Sequence, residues 1–237
     1  MVKKLILFST LVFIVYFGKS FAQASMKRTK EISSKNKKVK ILFVAELLEG
    51  HFEHRKAEYI KSLKILKEMG YEPYIVETNT KGSSFLDEYS SNVCYPSVNI
   101  QNPSRALNEA VSILSALDHF DFDDSDMIIK LNGRYRFVSD IFIRLFQERP
   151  DFGIVVRKDP VRGGVFTGCF AMKFKDFKKM LLNYILESYE DKKRLDKLGI
   201  ERWLAEHVCK LHEKGLSVKQ IRKIGLQINR EHNLSIY

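Results

Sequence analysis

Met127-Ile128-Ile129-Lys130-Leu131 is the stretch that most limits what this chain can fold into. A short apolar run broken by a single lysine fits a strand covered on both faces, and such strands belong to parallel sheets packed between helices. The run stops at Asn132-Gly133, a turn dipeptide, and Arg134 and Tyr135 follow at once. In an open α/β sheet the carboxyl ends of the strands face a crevice that holds ligands. Lys130, Asn132, Arg134 and Tyr135 are therefore candidate binding residues, set against the plainer reading of a central strand followed by an ordinary turn.

The flanking segments repeat the same grammar. Val39 to Ala45 is a second apolar run, and Glu46 to Arg55 leads into a helix predicted to run to about Met69, with Ile60, Leu63, Leu66 and Met69 on its packing face and Gly70 closing it. Glu72 to Thr78 is a further strand, and two strands joined through a helix call for a right-handed crossover and a parallel pair. Between Asn79 and Asn102 a short helix and a weak strand are expected. Asn102-Pro103-Ser104 then caps a helix with the stripe Ala106, Leu107, Ala110, Val111, Leu114 and Leu117. Helix N-termini attract phosphate, so Arg105 and Asn108 join the candidates, against the alternative of an arginine decorating a solvated turn.

Beyond Tyr135, Ser139 or Asp140 is placed to cap a helix containing Phe142, Leu145 and Phe146. Phe152 to Val156 is a strand ending in Arg157 and Lys158, and Val165 to Met172 another. Helices are expected from Asp176 and over Glu201 to Glu213, while Leu216 to Ile228 fits helix or strand equally. Together these segments predict one three-layer α/β/α domain over 39–237 with a mostly parallel sheet.

The chain has 237 residues and a formal charge of +11, which suggests a nucleic-acid partner until it is divided. Residues 1–40 carry ten Lys or Arg against Glu31 alone, and the remainder carries 30 basic and 28 acidic residues, so the body is nearly balanced and no nucleic-acid footprint is expected. Lys3 and Lys4, the apolar run Leu5 to Phe17 and Ala22-Gln23-Ala24 fit a cleaved signal peptide over 1–24. The lysines and arginine from Lys27 to Lys40 support the competing reading, an uncleaved membrane anchor with the body on the cytoplasmic face. A start at Met26 would remove both. The location expected is therefore the secretory pathway or a membrane-anchored state, with 25–38 as a basic disordered linker.

Asp121-Phe122-Asp123 and Asp124-Ser125-Asp126 have the Asp-x-Asp form that holds Mg or Mn on a nucleotide diphosphate. Both precede the strand and lie at its amino end, away from the crevice, so they read as a solvated turn. His51 and His54 lack the spacing of a zinc helix. Cys94, Cys169 and Cys209 match no paired metal spacing and read as free or core thiols.

From Lys40 to about Leu216 the chain resembles bacterial and viral glycosyltransferase-like proteins of the nucleotide-diphospho-sugar transferase (GT-A-like) fold. Two stretches carry the likeness: Asn102 to Ala110, with Asn108-Glu109-Ala110 at a helix start, and Ile128 to Tyr135, close to a Lys-Leu-Thr-Gly-Arg-Tyr pattern. The chain departs from it by Asn132 in place of Thr and by moving the positive charge to Arg105. The resemblance implies a hexosyltransferase-like enzyme that moves a sugar from a nucleotide-sugar donor to a glycan or lipid-linked acceptor. A non-catalytic nucleotide- or glycan-binding protein on the same scaffold is the alternative.

With Asn132 to Arg134 where such enzymes carry their metal-binding acids, diphosphate charge falls to Lys130 and Arg134, helped by Arg105 and by Arg157 or Lys158. No cofactor is then required, although Mg or Mn accompanying the donor remains compatible. Arg134 would stabilise the leaving group. The base for an inverting transfer would come from Asp140, Glu201 or Glu206, with Glu201 preferred because it opens the late helix.

Overall fold

The computed structural model describes residues 39–47, 50, 52–80, 82–97, 104–149, 153–156, 168–190, 203–208, 210, 218–220 and 225–228. The leader and linker expected over 1–38 lie outside them. So do His51, Arg157, Lys158, Glu201 and Cys209.

The central strand β1 (Val39–Ala45) shows how the layers arise. Leu42 and Val44 pack on one side of the sheet, while Ile41, Phe43 and Ala45 pack on the other, so both faces of one strand are core. Helices α1 (Phe52–Glu68) and α3 (Ile141–Glu148) cover the second side through Tyr59, Leu63, Leu66, Phe142, Ile143 and Phe146. Helices α2 (Arg105–His119) and α4 (Phe174–Glu190) cover the first through Ala110, Ile113, Phe177 and Leu181.

The remaining strands are β2 (Tyr74–Glu77), β3 (Val93–Cys94), β4 (Met127–Asn132), β5 (Tyr135–Phe137), β6 (Ile154–Val156), β7 (Cys169–Lys173), β8 (Val218–Gln220) and β9 (Leu226–Ile228). Seven of them form one sheet in the order β3-β2-β1-β4-β7-β6-β8, and β5 pairs with β9 in a separate ribbon. The sheet is mixed and largely parallel: β7 alone runs against its neighbours β4 and β6. The segment that fitted helix or strand equally contributes β8 and β9, and β5 was not foreseen.

Local signals account for most boundaries. Ser104 caps α2 by accepting the Leu107 N–H at 3.2 Å. Gly70, at φ +82°, ends α1, where the Tyr71 N–H donates to Leu66 O at 2.9 Å. The packing face of α1 differs from the predicted one: Arg55, Glu58, Tyr59, Ser62, Leu63 and Leu66 are buried, and Ile60 is half exposed. Leu63 and Leu66 lie in the core and Met69 packs against it as expected, so Ile60 is the departure: the buried face extends toward Arg55, Glu58, Tyr59 and Ser62, whose charges and hydroxyls hide its period.

Among the described residues no helix is long and apolar enough to cross a membrane. The expected membrane-anchored location is corrected on that finding. Cys94 and Cys169 are free and buried, and burial pushes both thiols upward in pKa.

Gly133 also has a different role from turn flexibility. Its N–H donates to Val44 O at 2.8 Å, its carbonyl accepts from Ser62 Oγ at 3.2 Å, and a Cβ there would lie 2.6 Å from Tyr59 Cε1 and 3.0 Å from Phe43 Cε1. Glycine is needed because the turn runs against the Tyr59 ring. Gly133→Ala is expected to lower stability by about 1–3 kcal/mol through overpacking. Urea unfolding of the two proteins checks this, with an unchanged midpoint as the contrary result.

Candidate functional site

The strand order reverses between β1 and β4: α1 leads from β1 to β2 on one side, and α2 reaches β4 on the other. Crevices open at such switch points, at the carboxyl ends of the strands. Here β1 delivers Glu46, β2 delivers Glu77, Thr78 and Asn79, β4 delivers Asn132, Gly133 and Arg134, and the start of α2 delivers Arg105, Asn108 and Glu109. Thr78 N–H extends the ladder to Ala45 O at 3.0 Å, and Asn108 Nδ2 donates to Thr78 O at 3.2 Å, which fixes the first turn of α2 over the end of β2.

Glu46 is tied into this edge through both its carboxylate and its backbone. Arg105 forks onto it, Nε to Oε1 at 2.8 Å and Nη2 to Oε2. Arg55 Nη1 donates to its Oε2 at 3.1 Å and its carbonyl at 2.9 Å. Tyr59 Oη donates to the same carbonyl at 3.0 Å. Burial raises the pKa of the Tyr59 phenol, which keeps that donor protonated.

Lys130 is buried and pairs with Glu109 Oε1 at 2.8 Å. Burial pushes the Glu109 carboxyl upward, but Lys130, and after it Arg105 and Arg134, outweigh this and hold it below its ordinary value. Glu77 behaves in the opposite way. It is fully buried, and burial, its largest influence, raises its pKa with a further push from Glu46. Its Oε1 accepts the N–H groups of Leu47, Asn79 and Thr80 at 3.1, 2.9 and 3.0 Å, while Oε2 has no hydrogen-bond partner. Arg55, Arg105 and Lys130 bond to Glu46 and Glu109, Arg134 acts on Glu109 through its charge alone, and with Glu77 included four cationic side chains face three carboxyl groups. The excess of positive charge suits a phosphate-bearing ligand.

The predicted residues divide clearly. Arg105, Asn108, Lys130, Asn132 and Arg134 come together at this edge, but Lys130 is committed to Glu109 and Asn132 Oδ1 accepts the Arg134 N–H at 3.3 Å. Arg134 sits half buried in the β4–β5 turn, and no described carboxylate forms an ion pair with its guanidinium. Tyr135 packs its ring against the core on the α1 side. Asp140 occupies the N-cap position of α3 without making a capping bond; its carboxylate pairs with Arg144 at 2.9 Å. Its charge falls on Tyr71, just before β2, at the edge opposite Glu46. Asp140 therefore does not act as the expected cap. Glu206 is exposed on the helical stretch 203–208.

The Asp-x-Asp pairs stand at the amino end of β4, as expected, and Asp121, Asp123 and Asp124 are exposed. Asp126 departs from the solvated reading: it is buried, and its Oδ2 accepts the Asp123 N–H at 3.0 Å to close the turn. His54 faces Glu58 at 3.5 Å, and among the described residues no group of three His, Cys, Asp or Glu is placed to hold a metal ion.

Sequence reasoning passed over Glu46, Arg55 and Glu77. Glu46 and Glu77 each stand at the end of a buried strand, the same signal that marked Asn132. Arg55 and Tyr59 are spaced i, i+4 on the weakly apolar face of α1.

The chain shares its fold with a glycosyltransferase. That protein, GlyE of Streptococcus pneumoniae TIGR4, matches at 12% identity and a TM-score of 0.50 over 78% of this chain and 46% of its own. This chain therefore spans about half the length of that protein. A glycosyltransferase involved in glycosylation of the major capsid of PBCV-1 matches at 10% identity over 77% of this chain and 82% of its own, with a TM-score of 0.44. The galactosyltransferase LgtC, in complex with donor and acceptor sugar analogues, matches at 11% identity over 76% and 72%, with a TM-score of 0.45. The last two scores add no weight to the fold. No protein-family model and no curated protein matches the chain.

Two measurements probe the charges. Lys130→Met strands Glu109 beside the core and is expected to cost about 3 kcal/mol, most of it recovered in a Lys130→Met/Glu109→Leu double variant; denaturant unfolding that leaves the single variant unchanged would refute the structural pair. For Glu77 the folded pKa is raised, so the folded chain keeps a proton that the unfolded chain has released. Stability on that account falls as pH rises above the ordinary value of 4.5. Glu77→Gln is expected to gain on wild type as pH rises from 4.5 in paired thermal melts, whereas parallel curves would contradict the shift.

Proposed function

We propose that the chain transfers a sugar from a nucleotide-activated donor to a glycan or lipid-linked acceptor, as a hexosyltransferase of the nucleotide-diphospho-sugar transferase (GT-A-like) type. The observation that carries this reading is the convergence of Arg105 and Arg134 on the carboxyl edge of β1, β2 and β4, with Arg55, Lys130 and Asn108 supporting them. The fold shared with the pneumococcal glycosyltransferase supports it.

In the reaction, the bond between the anomeric carbon and the donor's diphosphate oxygen breaks and the acceptor hydroxyl oxygen bonds to that carbon. Arg134, whose fork has no described carboxylate partner, receives the charge that develops on the diphosphate. Asn132 sets the turn that presents it, and Tyr135, the next residue, packs its ring against the core. Arg157, which follows β6, is assigned to the same diphosphate. Mg or Mn arriving with the donor would add to this neutralisation without replacing the guanidinium. For an inverting transfer the acceptor proton passes to a carboxylate, and Glu201 is assigned that role. Asp140 is a weaker choice because Arg144 already holds it.

A non-catalytic nucleotide- or glycan-binding protein is the second reading. One observation favours it: the carboxylates described on the crevice edge are engaged, Glu46 by two arginines, Glu109 by Lys130 and Glu77 by three backbone N–H groups. Release of nucleoside diphosphate from a panel of nucleotide sugars, measured with and without glycan acceptors, separates the two. Calorimetric titration with nucleoside diphosphates tests their shared premise, and absence of binding at about millimolar ligand sinks both. Arg134→Ala is expected to change folding stability by about 1 kcal/mol or less. Turnover should fall on the order of a hundredfold, about 3 kcal/mol in the transition state. Arg134→Lys should restore only part, because it keeps the charge and loses the fork. A stable Arg134→Ala protein with wild-type ligand affinity and turnover would place the site elsewhere.

A further inference from the structure

Glu46 presents Arg105 with the geometry that a phosphate would present. A carboxylate takes a guanidinium through two parallel N–H···O bonds, and phosphate oxygens accept the same fork. The two arginines on Glu46 are not equivalent. Arg55 is buried, and it reaches the Glu46 carboxylate, the Glu46 carbonyl and, at 3.4 Å, Tyr59 Oη. Arg105 is 60% exposed, starts helix α2 and has Glu46 as the partner of its fork.

We infer that Glu46 is the resting occupant of the anion-binding fork of Arg105, and that a phosphate-bearing ligand binds by taking Arg105 from Glu46 while Arg55 keeps Glu46 in place. This rests on the reading of the crevice as a phosphate site and names the residue that regulates access to it. The exchange needs no unfolding. Arg105 has solvent on its outer side, Glu46 keeps a charged partner throughout, and the Tyr59 bonds to the Glu46 backbone are untouched. An exposed ion pair opposes the exchange only modestly, so Glu46 weakens ligand binding without preventing it. Sequence position fits the role, since Glu46 follows β1 directly and Arg105 opens α2 across the crevice.

The test is titration of the full chain with inorganic pyrophosphate, which removes any dependence on base or sugar. Glu46→Gln still offers Arg55 an oxygen but no charge for Arg105, and its affinity is expected to exceed wild type about three- to tenfold. In an Arg105→Ala background the same substitution should give no gain. Equal or weaker binding by Glu46→Gln overturns the inference while leaving the phosphate site standing. An undiminished gain without Arg105 also overturns it, because Glu46 would then act as a general repulsive charge. No binding of pyrophosphate by any of the proteins removes the phosphate site itself. Should Glu46→Gln fold poorly, the NMR signal of the Arg105 Nε–H in wild type decides the matter. It should move on addition of pyrophosphate while that of Arg55 stays, and a stationary Arg105 signal in a protein that binds refutes the exchange.

Discussion

Asn132 lies opposite Val44 in the parallel pairing of β1 and β4, and the crevice depends on that register. The Gly133 N–H carries the ladder one residue further to Val44 O, so the two strands release Glu46 and Arg134 at the same level. Period-two alternation does the rest. Ile129 and Leu131 enter the core on the α1 side, and Lys130 faces α2, where Glu109 waits. A slip of one residue would turn the ammonium toward Leu63 and Leu66 and leave Glu109 unpaired, a cost that makes the observed register strongly preferred.

Much of this architecture was readable because buried strands and capped helices leave local signatures. The apolar runs at β1 and β4, the Ser104 cap and Gly70 at the end of α1 needed nothing beyond neighbouring residues. The meeting of Arg105 with Arg134 needed only the topology rule that places ligands at a switch point. What stayed hidden was non-local. The direction of β7 depends on its partners β4 and β6, and β5 exists through pairing with β9, some ninety residues later in the chain. Side-chain roles were hidden for a related reason. Lys130 and Asp140 each had an acceptable ligand-side role in sequence and Gly133 that of an ordinary turn residue, and each is used by a neighbour that sequence does not reveal: Glu109, Arg144 and the Tyr59 ring.

Glu46 also joins two parts of the core that share no helix. Arg55 belongs to α1 on one side of the sheet and Arg105 to α2 on the other, so a single carboxylate bridges both layers over the end of β1. Ionic contacts at the rim of a sheet add little to stability when exposed, and this one is better understood as setting the orientation of an arginine.

The reversed strand β7 has a consequence for the rim of the crevice. Because β6 runs parallel to β4, its last residue Val156 reaches the crevice edge; because β7 runs the other way, Gly168 enters there too, its carbonyl accepting the Asn132 N–H at 2.8 Å. Both attachment points of residues 157–167 are thus fixed at the rim by sheet hydrogen bonds. The reversal thus ties the ends of β6 and β7 to the same rim as Asn132, so the register that sets the β4 turn also fixes where two further strands meet the crevice.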